Sequence, residues 1–283
     1  MSFVQLDSVR LEYFRYGHGP EHVVLVHGYQ ASARIWQRVQ ELLPADRYTS
    51  IAINNRGAGG SDAPANDEDY GVQVFAADAY ALVQQLGFTH FTLVGHSLGG
   101  ATVAEFALNW PHLLKGLVLL DPANPDGRAI SDAEVERIVA ASMKARIAET
   151  ARARDAQPDA VAAKPMDRAG ATGAADDAWR TAVSADMLAA PVQRLRGSLR
   201  SMLKLRLGAR LSTLTMPALL VGGDADELIP VANMLDTWAK LPQGTGLHFW
   251  HGVGHSPNLD CPAELTAVLR TFVEQTIPRR AGT

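Results

Sequence analysis

Apolar residues along this chain fall into two rhythms that take turns. Short alternating patterns at residues 3–6 and 9–16, joined by Asp7-Ser8, predict an opening hairpin. Further strands are predicted at residues 23–26, 48–53, 91–94, 117–120, 218–221 and 247–250. Most of these are continuous apolar runs such as Val23-Val24-Leu25-Val26, as expected of strands covered on both faces. Between them the period changes to that of a helix, at residues 35–43, 72–86, 101–109, 230–241 and 262–276. Pro262 occupies an allowed first-turn position of the last of these. Eight strands alternating with helices predict an α/β fold, a mostly parallel eight-stranded sheet with helices on both faces.

The rhythm breaks between residues 127 and 212, where no strand pattern appears. A helix is predicted at 131–155, with Ser131 as its cap and Glu134 completing a capping box. A loop is predicted at 158–173. Further helices are placed at 176–186 and 192–207, the latter interrupted by Gly197. Two parts follow: a core of residues 1–126 and 213–283, and a helical insertion at 127–212. The insertion holds 15 Lys/Arg and 10 Asp/Glu, and six of its basic residues lie between Arg194 and Arg210 with no acid among them. A solvated basic face accounts for that run; docking of an anionic substrate or of an anionic membrane surface are the sharper readings.

Composition narrows the function classes. A net charge of −4 over 283 residues argues against nucleic acid as the main partner. One cysteine, Cys261, excludes an intramolecular disulfide. The start of the sequence lacks a basic and then apolar leader, and no apolar run reaches the length of a membrane span, so the expectation is a cytoplasmic chain. No metal-ligand spacing is evident, and neither metal nor organic cofactor is expected.

Candidate chemistry centres on Gly95-His96-Ser97-Leu98-Gly99 between a predicted strand and a predicted helix. Such a turn holds a serine hydroxyl out at its apex, with the N-terminus of the next helix aimed at charge forming there. A serine needs a base, and the base an orienting acid, all at one sheet edge. His255 follows the last strand at the carboxyl edge and is the best placed of the nine histidines. His27 reads as a turn residue and His96 as packing behind the elbow. For the acid, Asp224 and Asp226 share the loop after the penultimate strand, with Asp121 an outsider after an earlier one; spacing does not choose among them.

These motifs together resemble the α/β-hydrolase fold superfamily, in its serine-nucleophile branch of esterases, C–C bond hydrolases, enol-lactonases and haloperoxidase-like enzymes. His27-Gly28 is similar to its oxyanion loop, and Arg56-Gly57-x-Gly59-x-Ser61-Asp62 to a second loop in which Asn54 departs from the usual Asp. Gly95–Gly100 resembles its elbow, Gly223-x-x-Asp226-x-x-Ile229-Pro230 its acid loop, and Gly254-His255 its base motif. The resemblance implies Ser97, Asp226 and His255 as catalytic triad, with Asp224 a loop-capping residue and Arg56 structural. It further implies an oxyanion hole from the backbone N–H groups of Tyr29 and Leu98, and residues 127–212 as a helical cap. Candidate pocket residues are Tyr29, Trp36, Met143, Trp179, Met187 and Met202, with Leu188 and Leu203. The implied activity is hydrolysis of a small to medium apolar carboxylic ester or lactone. Cleavage of a C–C bond in a vinylogous diketo acid is the runner-up, although Ser256-Pro257 replace the aromatic residues usual after that histidine. Haloperoxidase-like chemistry uses the same residues. A lyase, or a ligand-binding receptor keeping the fold, is the further alternative; a serine nucleophile argues against the dehalogenase and epoxide-hydrolase branches.

Overall fold

A computed structural model describes residues 1–155 and 174–276. The eight predicted strands are present as β1 (Ser2–Gln5), β2 (Arg10–Gly17), β3 (Glu21–Val26), β4 (Tyr48–Ile53), β5 (Phe91–His96), β6 (Leu114–Leu120), β7 (Ala218–Gly223) and β8 (Gly246–Trp250). The helices are α1 (Gln37–Leu42), α2 (Val72–Gln85), α3 (Leu98–Asn109), α4 (Asp132–Asp155), α5 (Ala174–Ala189), α6 (Val192–Leu203), α7 (Gly208–Leu211), α8 (Val231–Lys240), α9 (Pro257–Asp260) and α10 (Pro262–Thr276). One sheet contains all eight strands in the order β1-β2-β4-β3-β5-β6-β7-β8. The opening hairpin is antiparallel, as is β2 against β4, and every other pairing is parallel.

This order places the functional loops. The chain moves outward from β3 to β4, then returns across β3 to lay down β5 and continue the other way. The carboxyl ends of β3 and β5 therefore flank the point where strand order reverses, the usual ligand crevice of an open parallel sheet. Every residue of β4, β5 and β7 is buried, which explains why their sequences lack polar alternation. One apolar cluster joins the sheet to α2 and α3, and includes Phe75, Leu82, Phe91 and Phe106. A second, containing Trp36, Val39, Leu265 and Leu269, covers the opposite face.

Between β6 and β7 the described residues form helices α4 to α7 and no strand. The Glu134 N–H donates to Ser131 Oγ at 3.2 Å, so half of the expected capping box is present. The other half is not: the Glu134 carboxylate lies 3.6 Å from Arg128. The predicted loop at 158–173 lies outside the described residues. Helix α6 runs through Gly197 without the predicted interruption. A Cβ there would come within 1.9 Å of the Asp67 carbonyl, so the glycine serves close packing of α6 on the body. The helix stops at Leu203, short of residue 207, because the Leu207 N–H turns to the Pro125 carbonyl at 2.8 Å.

The basic run divides: Arg194 is buried and Arg196 and Arg200 bridge Asp67 and Glu136, whereas Lys204, Arg206 and Arg210 are exposed. The predicted helix at 35–43 is a 3-10 turn, Ala33–Trp36, followed by α1, with Ser32 Oγ accepting from the Arg34 N–H at 3.2 Å. Arg56 clamps Asp78 through two hydrogen bonds of 2.6 and 2.9 Å, holding its loop on α2.

Asn54 is explained by its neighbour. Its Nδ2 donates to the buried carboxylate of Glu12 at 2.7 Å, and its Oδ1 accepts from the Ala33 N–H at 2.6 Å. Aspartate at this position would set a carboxylate against a carboxylate and lose the donor. Asn54→Asp is therefore expected to lower stability by about 1–3 kcal/mol near neutral pH. The loss should shrink in acid as one carboxyl takes up a proton, which urea unfolding at pH 8 and pH 5 reads directly.

Candidate active site

Ser97 sits between β5 and α3 with φ 56° and ψ −118°, a backbone conformation a non-glycine residue rarely holds. The turn is locked on both sides. The Ser97 N–H donates to the Leu120 carbonyl at 2.9 Å, and its own carbonyl accepts from Gly100 at 2.9 Å and Ala123 at 3.0 Å. Gly95 and Gly99 are required by close approach: a Cβ at Gly95 would lie 2.2 Å from the Gly99 carbonyl, and one at Gly99 2.4 Å from that of Val26. The backbone N–H of Leu98 opens α3, where helical N–H groups have no intrahelical partner. The loop after β3 passes close by, since a Cβ on Gly28 would meet the Ser97 Cβ at 2.9 Å. Neither the Leu98 nor the Tyr29 N–H has a backbone carbonyl partner among the described residues.

The loop after β7 settles the geometry of the two aspartates that spacing left open. Asp226 Oδ2 accepts from His255 Nδ1–H at 2.7 Å, and its Oδ1 accepts from the Leu228 and Ile229 N–H groups at 2.7 and 2.9 Å. Burial would raise the Asp226 carboxyl above its ordinary value, but the bonds from His255, Ile229 and Leu228 outweigh it and the net direction is down. Asp224 faces elsewhere, accepting from His251 Nδ1 at 2.8 Å and from the Gly252 N–H at 2.5 Å. With Nδ1–H committed to Asp226, His255 keeps Nε2 as its basic nitrogen. Ser97 and His255 share the carboxyl edge of the sheet, yet no hydrogen bond joins the Ser97 hydroxyl to His255 among the described residues. Asp121, Asp226 and His255 bring three potential metal-ligand atoms within 4.8 Å of one another, a grouping that spacing did not signal. Within that group His255 Nδ1 and Asp226 Oδ2 are hydrogen-bonded to each other.

Two histidines have more to do than the sequence suggested. His96 does not merely pack behind the elbow: its Nε2–H donates to the His255 carbonyl at 2.7 Å, and the two rings lie 4.9 Å apart. Burial first, and then His255 beside it, pushes His96 down to about 3, so it tethers the His255 loop as a neutral ring. His27 accepts from the Asn55 N–H through Nε2 at 3.1 Å and donates from Nδ1 to the Gly28 carbonyl at 2.9 Å, bracing the loop that carries Tyr29. Burial likewise holds His27 well below its ordinary value.

Both histidines bind their protons far more weakly folded than unfolded. Below pH 6.5 the unfolded chain takes up protons that the fold refuses, so stability falls as pH falls toward 3. His96 is expected to remove about 2 kcal/mol between pH 7 and pH 5, and His27 acts in the same direction. Urea unfolding checks this, and His96→Asn should show a visibly smaller loss over the same interval.

The predicted pocket residues divide. Tyr29, Met143 and Met202 pack on one cluster with Val135, Val139, Leu195 and Leu199 of α4 and α6, and the Tyr29 hydroxyl donates to the Leu195 carbonyl at 3.1 Å. Trp36 is a correction. It has no exposed surface and belongs to the core beneath the sheet. Trp179 and Met187 join that same cluster, and the Trp179 indole N–H donates to the Arg34 carbonyl at 3.0 Å. Arg194 was missed as a site neighbour, because a run of basic residues reads as a solvated face. Its guanidinium donates to the Ala31 carbonyl at 2.7 Å, directly behind the Tyr29 loop. No helix among the described residues is long and apolar enough to cross a membrane.

Comparison with known proteins agrees with this architecture. An uncharacterized protein, Mb2734, from Mycobacterium bovis is 28% identical over 273 residues, covering 93% of this chain and 77% of that protein. An esterase from Exiguobacterium antarcticum superposes with a TM-score of 0.79 at 21% identity, over 96% of this chain and 99% of the other. A bromoperoxidase from Bacillus anthracis gives the same TM-score at 22% identity and the same coverage. The sequence profile of the alpha/beta hydrolase fold matches residues 21–261, and the chain belongs to that family.

Proposed function

We propose that this protein hydrolyses carboxylic esters or lactones of small to medium apolar substrates, through an acyl-enzyme on Ser97. The observation that carries the reading is the delivery of an Asp226–His255 pair, bonded at 2.7 Å, to the sheet edge where Ser97 stands on its strained turn. Ser97 Oγ attacks the carbonyl carbon while His255 Nε2 takes its proton. Asp226 holds the imidazole in the tautomer that leaves Nε2 basic and stabilises the cation that forms. The oxyanion is met by the N–H groups of Leu98 and Tyr29, and such donors are typically worth about 3–4 kcal/mol each. His255 then protonates the departing alcohol. Water then attacks the acyl carbon, giving a proton to His255, which passes it to Ser97 Oγ as the acid leaves. Because His96 stays neutral, no second cation opposes the imidazolium formed beside it.

Residues 127–212 act as a cap in this reading. Helix α6 sits on the Tyr29 loop through the Tyr29–Leu195 and Arg194–Ala31 bonds, so it shapes the space above Ser97. The apolar side chains of Met143 and Met202 beside Tyr29 favour an apolar acyl or alcohol group. A series of p-nitrophenyl esters of increasing acyl length tests the proposal. Turnover with one optimum in chain length, preceded by a burst of p-nitrophenol, is expected; release no faster than in buffer across the series would remove the reading.

A further inference from the structure

Asp121, at the end of β6, takes no part in the mechanism above, yet it is built into the same buried cluster. It has no exposed surface and holds a φ of 40°, in the left-handed region. Its Oδ1 accepts from the Gly223 N–H at 3.0 Å, and its backbone N–H donates to the Val221 carbonyl at 2.9 Å. Its Oδ2 is buried and has no hydrogen-bond donor among the described residues. One oxygen of Asp121, one of Asp226 and a ring nitrogen of His255 lie within 4.8 Å of one another. We propose that Asp121 is a positioning residue for the relay, donating a hydrogen bond from its carboxyl O–H to Asp226. The inference rests on the Ser97–His255–Asp226 reading.

The assignment of the proton follows from counting donors. Two buried carboxyls this close do not both ionise without a cation between them. Among the described residues the titratable groups acting on Asp121 are Asp226, His255, Asp260 and Cys261, with no lysine or arginine among them. Asp226 already accepts three hydrogen bonds, from His255 and two amides, all of which favour its ionised form. Asp121 accepts only one. The shared proton therefore belongs on Asp121, at the Oδ2 that otherwise lacks a partner. Burial first, and then the charges of Asp226 and Asp260, push this carboxyl up to about 9, against the Gly223 amide. The O–H gives Asp226 a fourth donor and fixes the plane in which it meets the imidazole. When Asp121 ionises, that donor is lost and a second negative charge appears beside the relay.

Asparagine distinguishes this role from mere packing. Asp121→Asn keeps an oxygen for the Gly223 amide and offers Asp226 an N–H that never ionises. Asp121→Ala offers nothing. With the best p-nitrophenyl ester, Asp121→Ala is expected to lower kcat/KM at least tenfold, and Asp121→Asn to recover most of that loss. In the wild type kcat/KM should decline above about pH 9, and in Asp121→Asn that decline should be absent. Proton NMR of the His255 Nδ1–H reads the same event without substrate: its resonance should titrate near pH 9 in the wild type and not in Asp121→Asn. An unchanged alkaline titration of that resonance in Asp121→Asn overturns the proposal, as does an Asp121→Ala enzyme within twofold of wild type. If the alanine variant does not fold, the asparagine variant alone decides. A wild type inert toward every ester, but with the NMR titration as expected, would refute the proposed activity and leave the Asp121–Asp226 bond standing.

Discussion

Ser97→Ala is expected to lose ester hydrolysis by at least about four orders of magnitude in kcat while remaining folded. Both halves follow from the elbow. In the proposed mechanism, methyl for hydroxymethyl removes the atom that forms the acyl-enzyme, and His255 has no equivalent nucleophile to activate. The hydroxyl makes no hydrogen bond that the fold depends on among the described residues. The turn is secured instead by backbone bonds to Leu120, Gly100 and Ala123, which alanine keeps. Stability should thus stay within about 0.5 kcal/mol of wild type. Residual rate above buffer would come from the Leu98 and Tyr29 N–H groups, which still bind an oxyanion. Parallel measurement of p-nitrophenol release and of the thermal midpoint separates lost chemistry from lost fold.

The second large effect belongs to Asp226. Asp226→Asn is expected to reduce kcat about 10³- to 10⁴-fold, because an amide N–H facing the imidazole favours the tautomer with its proton on Nε2, where the base must be free. Asp224→Asn, only two residues away, should stay within about threefold of wild type, since its partners are the exposed His251 ring and the Gly252 amide. The contrast between neighbours is sharper than either value alone. A large loss in Asp224→Asn with little in Asp226→Asn would reverse the assignment.

Local pattern made the strands and the elbow legible, because burial on both faces writes continuous apolar runs and a strand-to-helix turn needs small residues at fixed offsets. The acid was harder. Asp224 and Asp226 occupy one loop, and only the folded course of that loop turns one toward His255 and the other toward His251. His96 and Asp121 were illegible for a related reason: their partners, His255 and the Asp226 loop, lie more than a hundred residues away in the chain. Charge misled at Arg194, where a basic run suggested solvent but the guanidinium is buried against Ala31. Hydrophobicity misled at Trp36, since a large aromatic near the oxyanion loop serves a core as readily as a pocket.

The central claim is that Ser97 becomes covalently acylated during turnover. Rapid-quench mass spectrometry of the wild-type protein, mixed with its best p-nitrophenyl ester and stopped in acid within the burst, tests this most directly. The account predicts a protein mass increased by one acyl group, mapped to the peptide that contains Ser97 and absent from Ser97→Ala. Turnover with no acyl adduct, or an adduct on any other residue, would contradict it.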